Sequence, residues 1–271
     1  MPISVLDRIV ASVRSGLEAT PPAADLEEHA RAAAEARSRG GLRSLGKALE
    51  GSGAAVIAEC KKKSPSAGLL HNDFDPVALA RAYESGGAAA ISVVTEPDFF
   101  AGDPRWLGEV RAAVSLPVLR KDFVVSRRQL FETAMFGADA VLLIQRLLTP
   151  AKLAELLETA KELQLEVLLE VFADEDPQPA VDSGARILGV NARDLATFEV
   201  RLDRVEAMAT EIPRDRVRVA ESGISDRATV KRLAEVGYDA FLVGEHLVRS
   251  ADPETAVRKL VGHGDGDGRG C

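Results

Sequence analysis

Seven polar residues stand at the ends of short apolar runs: Glu59, Lys61, Lys121, Glu170, Asn191, Arg193 and Glu221. The run Ala54–Ala58 stops at Glu59-Cys60-Lys61 and then breaks at Ser64-Pro65-Ser66. Side chains alternate along a strand, so Ile57, Glu59 and Lys61 share one face, and Cys60 and Lys62 take the other. The same parity joins Leu119 to Lys121, Leu168 to Glu170, Gly189 to Asn191 and Arg193, and Val219 to Glu221. If these runs are neighbouring strands, three cations (Lys61, Lys121, Arg193) meet three carboxylates (Glu59, Glu170, Glu221) at one mouth. Charge held there is costly unless it is paired or used. A mixed set pushes pKa values apart, which is what acid–base catalysis requires. Any one of these residues alone reads as a cap or a surface ion pair. For the whole set, the structural alternative is a ring of ion pairs that merely closes the mouth.

Two adjacent loops suggest an anion site. Glu221-Ser222-Gly223-Ile224-Ser225 and Val243-Gly244-Glu245-His246 each put glycine just past an apolar run, where backbone N–H groups and a short helix can hold phosphate. No P-loop or dinucleotide fingerprint is present, and His29, His71, His246 and His263 are scattered, with no metal cluster. Phe99, Phe100, Phe123, Phe172 and Phe198 fall in loops after the expected strands, which suits an apolar wall for an aromatic ligand. Ordinary loop packing is the alternative for each.

The elements that must position these residues follow from periodicity. Apolar runs at 56–60, 89–94, 117–121, 140–144, 166–171, 187–190, 217–220 and 240–243 alternate with helical patterns such as 76–85, 126–136, 150–163 and 226–236. Eight such units predict an α/β fold, a single (β/α)8 TIM barrel. Gly87, Gly137, Gly184 and Gly237 recur about every fifty residues, each ending a helix before an even-numbered strand. A doubly wound open sheet shows the same local signals. Ahead of the repeat, apolar spacing predicts helices at 4–18, with a Ser4/Asp7 capping box, and at 26–39, then a connector to Gly53. The expected organisation is an N-terminal helical extension (1–50) packing on the barrel, a catalytic barrel (51–262) and a disordered Gly/Asp-rich tail (263–271).

Composition narrows the function. Of 271 residues, 46% are apolar and only 4% aromatic, so Ala, Leu and Val fill the core. A net charge of −8 argues against nucleic acid as the main partner. Two cysteines make no disulfide framework. No signal-peptide pattern and no bilayer-length apolar run occur, so no membrane partner is expected and the cytoplasm is the expected location.

These motifs resemble the indole-3-glycerol phosphate synthase family of tryptophan biosynthesis over nearly the whole chain. The residues that carry the resemblance are Glu59-x-Lys61-x-x-Ser64-Pro65-Ser66, Leu119-Arg120-Lys121-Asp122-Phe123, Glu170-Val171, Gly189 to Leu195, and Glu221-Ser222-Gly223-Ile224. The resemblance implies a cofactor-independent carboxy-lyase. It closes the pyrrole ring of 1-(2-carboxyphenylamino)-1-deoxyribulose 5-phosphate, a phosphosugar carrying an anthranilate ring, and releases carbon dioxide and water. It implies catalytic roles for Lys121, Glu170, Lys61, Glu59, Asn191, Ser222 and Glu221. Lys121 would be the general acid at the ribulose carbonyl, Glu170 would serve proton transfer in dehydration, and Lys61 would hold anionic groups. Arg193, Ser64, Gly223, Gly244, Glu245, Phe123 and Phe99 would bind the substrate. Phe172 and His246 depart from the family's usual His and Ser. A monomer is expected, a dimer being the alternative. The competing readings are another phosphosugar barrel, such as the pathway's isomerase, and a non-catalytic binding paralogue.

Overall fold

A computed structural model describes residues 4–50, 54–194 and 197–262 of the chain. Eight parallel strands form a closed barrel: β1 (Ala55–Cys60), β2 (Ala90–Val94), β3 (Val118–Lys121), β4 (Ala140–Ile144), β5 (Glu166–Phe172), β6 (Ile187–Asn191), β7 (Val217–Glu221) and β8 (Ala240–Val243). β1 pairs with β8 on one side and β2 on the other, so no open sheet edge remains. The doubly wound alternative therefore falls. The expected tail, with Cys271, and Leu195 of the β6 motif lie outside the described residues.

The helices between strands start and stop by simple chemistry. Asp75, Thr149 and Asp252 each cap a helix whose first residue is proline (Pro76–Ser85, Pro150–Glu162 and Pro253–Val261). A capping oxygen satisfies an orphan N–H, and proline has no N–H to lose. Gly87, Gly137, Gly184 and Gly237 all take positive φ, from 78° to 113°. This left-handed step, which glycine makes without a Cβ clash, turns the chain from helix into the next strand.

Strand parity sorts the core into two layers. Ile57, Ala90, Leu119, Leu142, Leu168, Ile187, Val219 and Leu242 point inward and fill the barrel. Val56, Cys60, Val93, Leu143, Leu169, Val190 and Phe241 point outward beneath the helices. Cys60 thus faces away from the mouth, its thiol 3.7 Å from the Pro76 carbonyl oxygen. β5 runs on to Phe172, so this residue is not a loop aromatic as its sequence position suggested. It is buried in the barrel interior, with the Arg146 guanidinium 4.5 Å from its ring centroid.

Three helices precede the barrel: α1 (Val5–Ala19), α2 (Leu26–Arg39) and α3 (Leu45–Leu49). The Ser4/Asp7 capping box starts α1 as expected. α2 lies against the Arg127–Met135 helix, and its buried Arg37 donates to the carbonyls of Leu163 (2.6 Å) and Gln164 (3.2 Å). α3 replaces the expected connector. Glu166, at the start of β5, accepts hydrogen bonds from Ser44 Oγ (2.8 Å) and Gly46 N–H (2.9 Å), which seats α3 against the barrel. Leu45 and Leu49 then join the interior cluster, both fully buried. They close the end of the barrel opposite the mouth. Leu49→Ala should cost ~2–5 kcal/mol and lower Tm by ~4–20 °C, with kcat at low temperature unchanged. A thermal melt that matches the parent would refute this plug.

Candidate active site

A cavity of about 680 Å³ opens at the carboxyl ends of the strands. Its walls include all seven polar residues expected there: Glu59, Lys61, Lys121, Glu170, Asn191, Arg193 and Glu221. Ser64, Phe123, Ser222, Gly223, Gly244 and Glu245 line it as well.

Two charged groups occupy its floor. Lys61 Nζ donates to Glu59 Oε1 at 2.7 Å. Burial works to raise the Glu59 pKa, but Lys61, Lys121 and Arg193 outweigh it and hold the carboxyl below its ordinary value. Gly244 makes this pair possible, since a Cβ there would lie 2.3 Å from Glu59 Oε1 and 3.1 Å from Lys61 Nζ.

The second group is Lys121, whose Nζ lies 3.1 Å from Glu170 Oε2 and 3.4 Å from Glu221 Oε2. From the sequence, Lys61 and Arg193 would depress the Lys121 pKa and Glu59 and Glu170 would raise it, with the balance left open. In the structure burial lowers it, but Glu170, Glu221 and Glu59 prevail, so Lys121 is held protonated above the usual lysine value. Glu221 moves the other way. Burial and the neighbouring Glu170 charge push its pKa well up, opposed by Lys121. Neither of its oxygens accepts a hydrogen bond from a described residue. Gly189, beneath it on β6, leaves the room it needs: a Cβ there would come within 2.2 Å of Glu221 Oε1.

The raised Glu221 pKa has a stability consequence. The folded state holds a proton that the unfolded chain gives up near pH ~4.3, so this group's contribution to stability falls as pH rises from there through the folded pKa. Glu221→Gln removes that loss. Its Tm gain over the parent should be larger at pH 8 than at pH 5, while kcat falls. A Tm difference independent of pH would contradict the assignment.

Asn191 arranges the mouth of β6 and β7. Its Oδ1 accepts from Ser222 Oγ (2.8 Å) and from the Arg193 N–H (3.0 Å), which leaves the amide NH2 as its remaining donor. Ser222 and Gly223 both take positive φ, 70° and 75°, so the chain turns sharply past β7. With Gly244 and the short helix Glu245–Val248 after β8, these loops form the expected glycine-lined corner. His246 stands exposed on its rim. A two-stranded hairpin, Lys63–Ser64 with Gly68–Leu69, carries Ser64-Pro65-Ser66 over the mouth beside this corner, where Arg249 Nη2 donates to the Ala67 carbonyl at 3.4 Å.

The aromatic wall differs from expectation by two of five residues, Phe99 and the interior Phe172. Phe100 and Phe123 line the cavity, their ring centroids 5.9 Å apart, joined by Phe198. Phe99, expected to bind the ligand, does not line it; its ring lies under the Arg8 guanidinium at 5.7 Å. Residues Pro97–Phe100 form one helical turn capped by Glu96, which accepts from the N–H groups of Asp98, Phe99 and Phe100. Consecutive side chains on a helix point about 100° apart, so only one phenylalanine can face inward.

The sequence reading also missed a wall. Val5, Leu6 and Ile9 of α1 line the cavity. α1 is held there by the Ser12 hydroxyl donating to Asp98 and by Arg128, which donates to the carbonyls of Leu17 (3.2 Å) and Thr20. The signal was available as an apolar stripe on a helix outside the repeat, but a stripe does not name its partner.

The chain is similar to known proteins over nearly its whole length. The family model described as indole-3-glycerol phosphate synthase matches residues 6–260. The indole-3-glycerol phosphate synthase of Geobacillus thermodenitrificans is 44% identical over 97% of this chain and 99% of that relative. Indole-3-glycerol phosphate synthase 1 of Streptomyces coelicolor is 46% identical over 97% of each chain. Among solved structures, 3-hexulose-6-phosphate synthase of Salmonella typhimurium aligns with TM-score 0.60 over 77% of this chain and 97% of that one. A tryptophan synthase α-subunit of Pyrococcus furiosus aligns with TM-score 0.59 over 77% and 98%. At 17% identity these two structures speak to the barrel alone. From the family match over nearly its whole length and the identity to its relatives, the chain belongs to the indole-3-glycerol phosphate synthase family.

Proposed function

We propose that this chain converts 1-(2-carboxyphenylamino)-1-deoxyribulose 5-phosphate into indole-3-glycerol phosphate in tryptophan biosynthesis, and that it works in the cytoplasm. The observation that carries this reading is one protonated lysine, Lys121, ion-paired with two buried carboxylates beside an aromatic wall.

Lys121 donates its proton to the ribulose carbonyl oxygen as the ring carbon bearing the carboxylate attacks the carbonyl carbon. A carbon–carbon bond forms, and the carbonyl π pair goes to oxygen. Carbon dioxide then leaves without its bonding pair, which restores the aromatic ring. The new hydroxyl then leaves as water on a proton from Lys61, and Glu170 takes the proton lost from the adjoining methylene. Lys121 Nζ lies 3.1 Å from Glu170 and 3.4 Å from Glu221, close enough for a proton to pass between them. Phe100 and Phe123 flank the anthranilate ring on one side. Lys61 and Arg193 hold the carboxylate or phosphate, and the N–H groups of Gly223, Gly244 and Glu245 take phosphate. Glu59 orients Lys61, and Asn191 with Ser222 holds a sugar hydroxyl.

Expression in a bacterium that lacks this step should restore growth without added tryptophan. Continued auxotrophy with protein present would overturn the proposal. A non-catalytic binding paralogue is disfavoured because every charge the reaction uses is present at the mouth.

A further inference from the structure

The outer face of β3 is unusual. Leu119, Lys121 and Phe123 point to the barrel side, so Arg120 and Asp122 point outward. The registered partners of Arg120 on the two neighbouring strands are Val93 and Val141, both packed under helices. Arg120 and Asp122 are only 4% and 6% exposed. Asp122 Oδ2 accepts from Arg120 Nη2 (2.8 Å) and Nε (3.1 Å) and from Thr95 Oγ1 (2.6 Å). Arg120 Nη1 donates to the Gln129 carbonyl (2.9 Å) and to Thr133 Oγ1 (3.0 Å). A buried ion pair is a poor route to stability, and apolar side chains of similar volume often serve as well.

What this pair does provide is a fixed backbone around Lys121. The Thr95 N–H donates to the Lys121 carbonyl at 3.1 Å. Asp122 Oδ1 accepts the Phe123 N–H at 2.8 Å. Gln129 Nε2 donates to the Phe123 carbonyl (3.0 Å), and Gln129 Oε1 accepts the Val125 N–H (2.9 Å). Every one of these bonds comes from a buried group. The segment that carries the acid and half of the aromatic wall is therefore held from outside the barrel.

We propose that Asp122, clamped by Arg120 and Thr95, is a positioning residue that aims Lys121 and Phe123 into the cavity. This rests on the role of Lys121 given above. Asp122 borders the cavity, but both of its oxygens are taken by Arg120, Thr95 and Phe123, so it acts through its neighbours.

The test replaces the pair with apolar residues, Arg120→Met with Asp122→Leu, in the full chain. The expected result is a retained or raised Tm with kcat lowered ~10–100-fold, the scale of a misplacement of about 1 Å, and KM within ~3-fold. Unchanged kcat in a folded variant would overturn the proposal. Should the double variant not fold, Thr95→Val removes one hydroxyl and leaves the charges paired. It should lower kcat several-fold at unchanged KM, and wild-type kcat there would overturn the proposal equally. Asp122→Asn, which keeps the acceptor for the Phe123 N–H, should recover part of the lost rate. The Lys121 ammonium signal, read by 15N NMR, separates the two assignments. It should shift or broaden in the folded variants, and an unchanged signal refutes the positioning role whatever the turnover. A shifted signal together with an active Lys121→Ala enzyme would instead fault the acid assignment and leave the frame standing.

Discussion

Lys121→Ala should lower kcat at least ~10²-fold, the usual scale for an acid–base group, while the barrel stays folded. The substitution removes a cation that Glu170 and Glu221 both face. Breaking a buried pair typically costs ~3–5 kcal/mol, because a charge is left without a partner. Here the loss is softened. Burial and Glu170 push the Glu221 pKa well up, so Glu221 can take up a proton once the lysine is gone. The expected pattern is a lower but cooperative melt with kcat and kcat/KM falling together, as for an interaction made in the transition state. Near-normal turnover at saturating substrate would sink the assignment of Lys121 as the acid.

Glu170→Gln should be comparably damaging, ~10²-fold in kcat, and should also move the alkaline limb of the rate profile. Glu170 is the strongest of the carboxylates that raise the Lys121 pKa, and burial alone would lower it. With Glu170 neutral, the ammonium loses its best partner and its pKa falls. The residual rate, which still needs protonated Lys121, is then lost at lower pH as the solution is made alkaline. The limb should move down by ~1–3 units, the usual size of an ion-pair effect. Profiles of parent and variant, fitted over the same pH range, decide the point. A variant that loses rate with its alkaline limb unmoved would separate Glu170 from Lys121.

The barrel and most of its mouth were legible because strand geometry is rigid. A period of two fixes the face of each side chain, so Glu59, Lys61, Lys121, Glu170, Asn191 and Glu221 could be aimed inward from sequence, and all line the cavity. α3 was not legible: five residues give one turn, and Leu45 and Leu49 show a spacing but no repeat. The Phe99/Phe100 choice turned on a one-turn helix, where strand parity does not apply. The role of α1 depended on where its apolar stripe docks, which only tertiary packing decides. The protonation of Lys121 and Glu221 depended on distances between strands far apart in sequence. Arg120 and Asp122 stood in the sequence only as members of the Leu119–Phe123 motif, and their burial as a frame depended on helix packing over β3.

The most direct test supplies purified protein with 1-(2-carboxyphenylamino)-1-deoxyribulose 5-phosphate labelled with carbon-13 in the carboxylate. Indole absorbance and labelled carbon dioxide are followed together. The proposed reaction requires both to appear at the same rate, one for one, in the parent and to fall together in Lys121→Ala. Binding of the substrate with neither product formed, by protein that is folded, would contradict it.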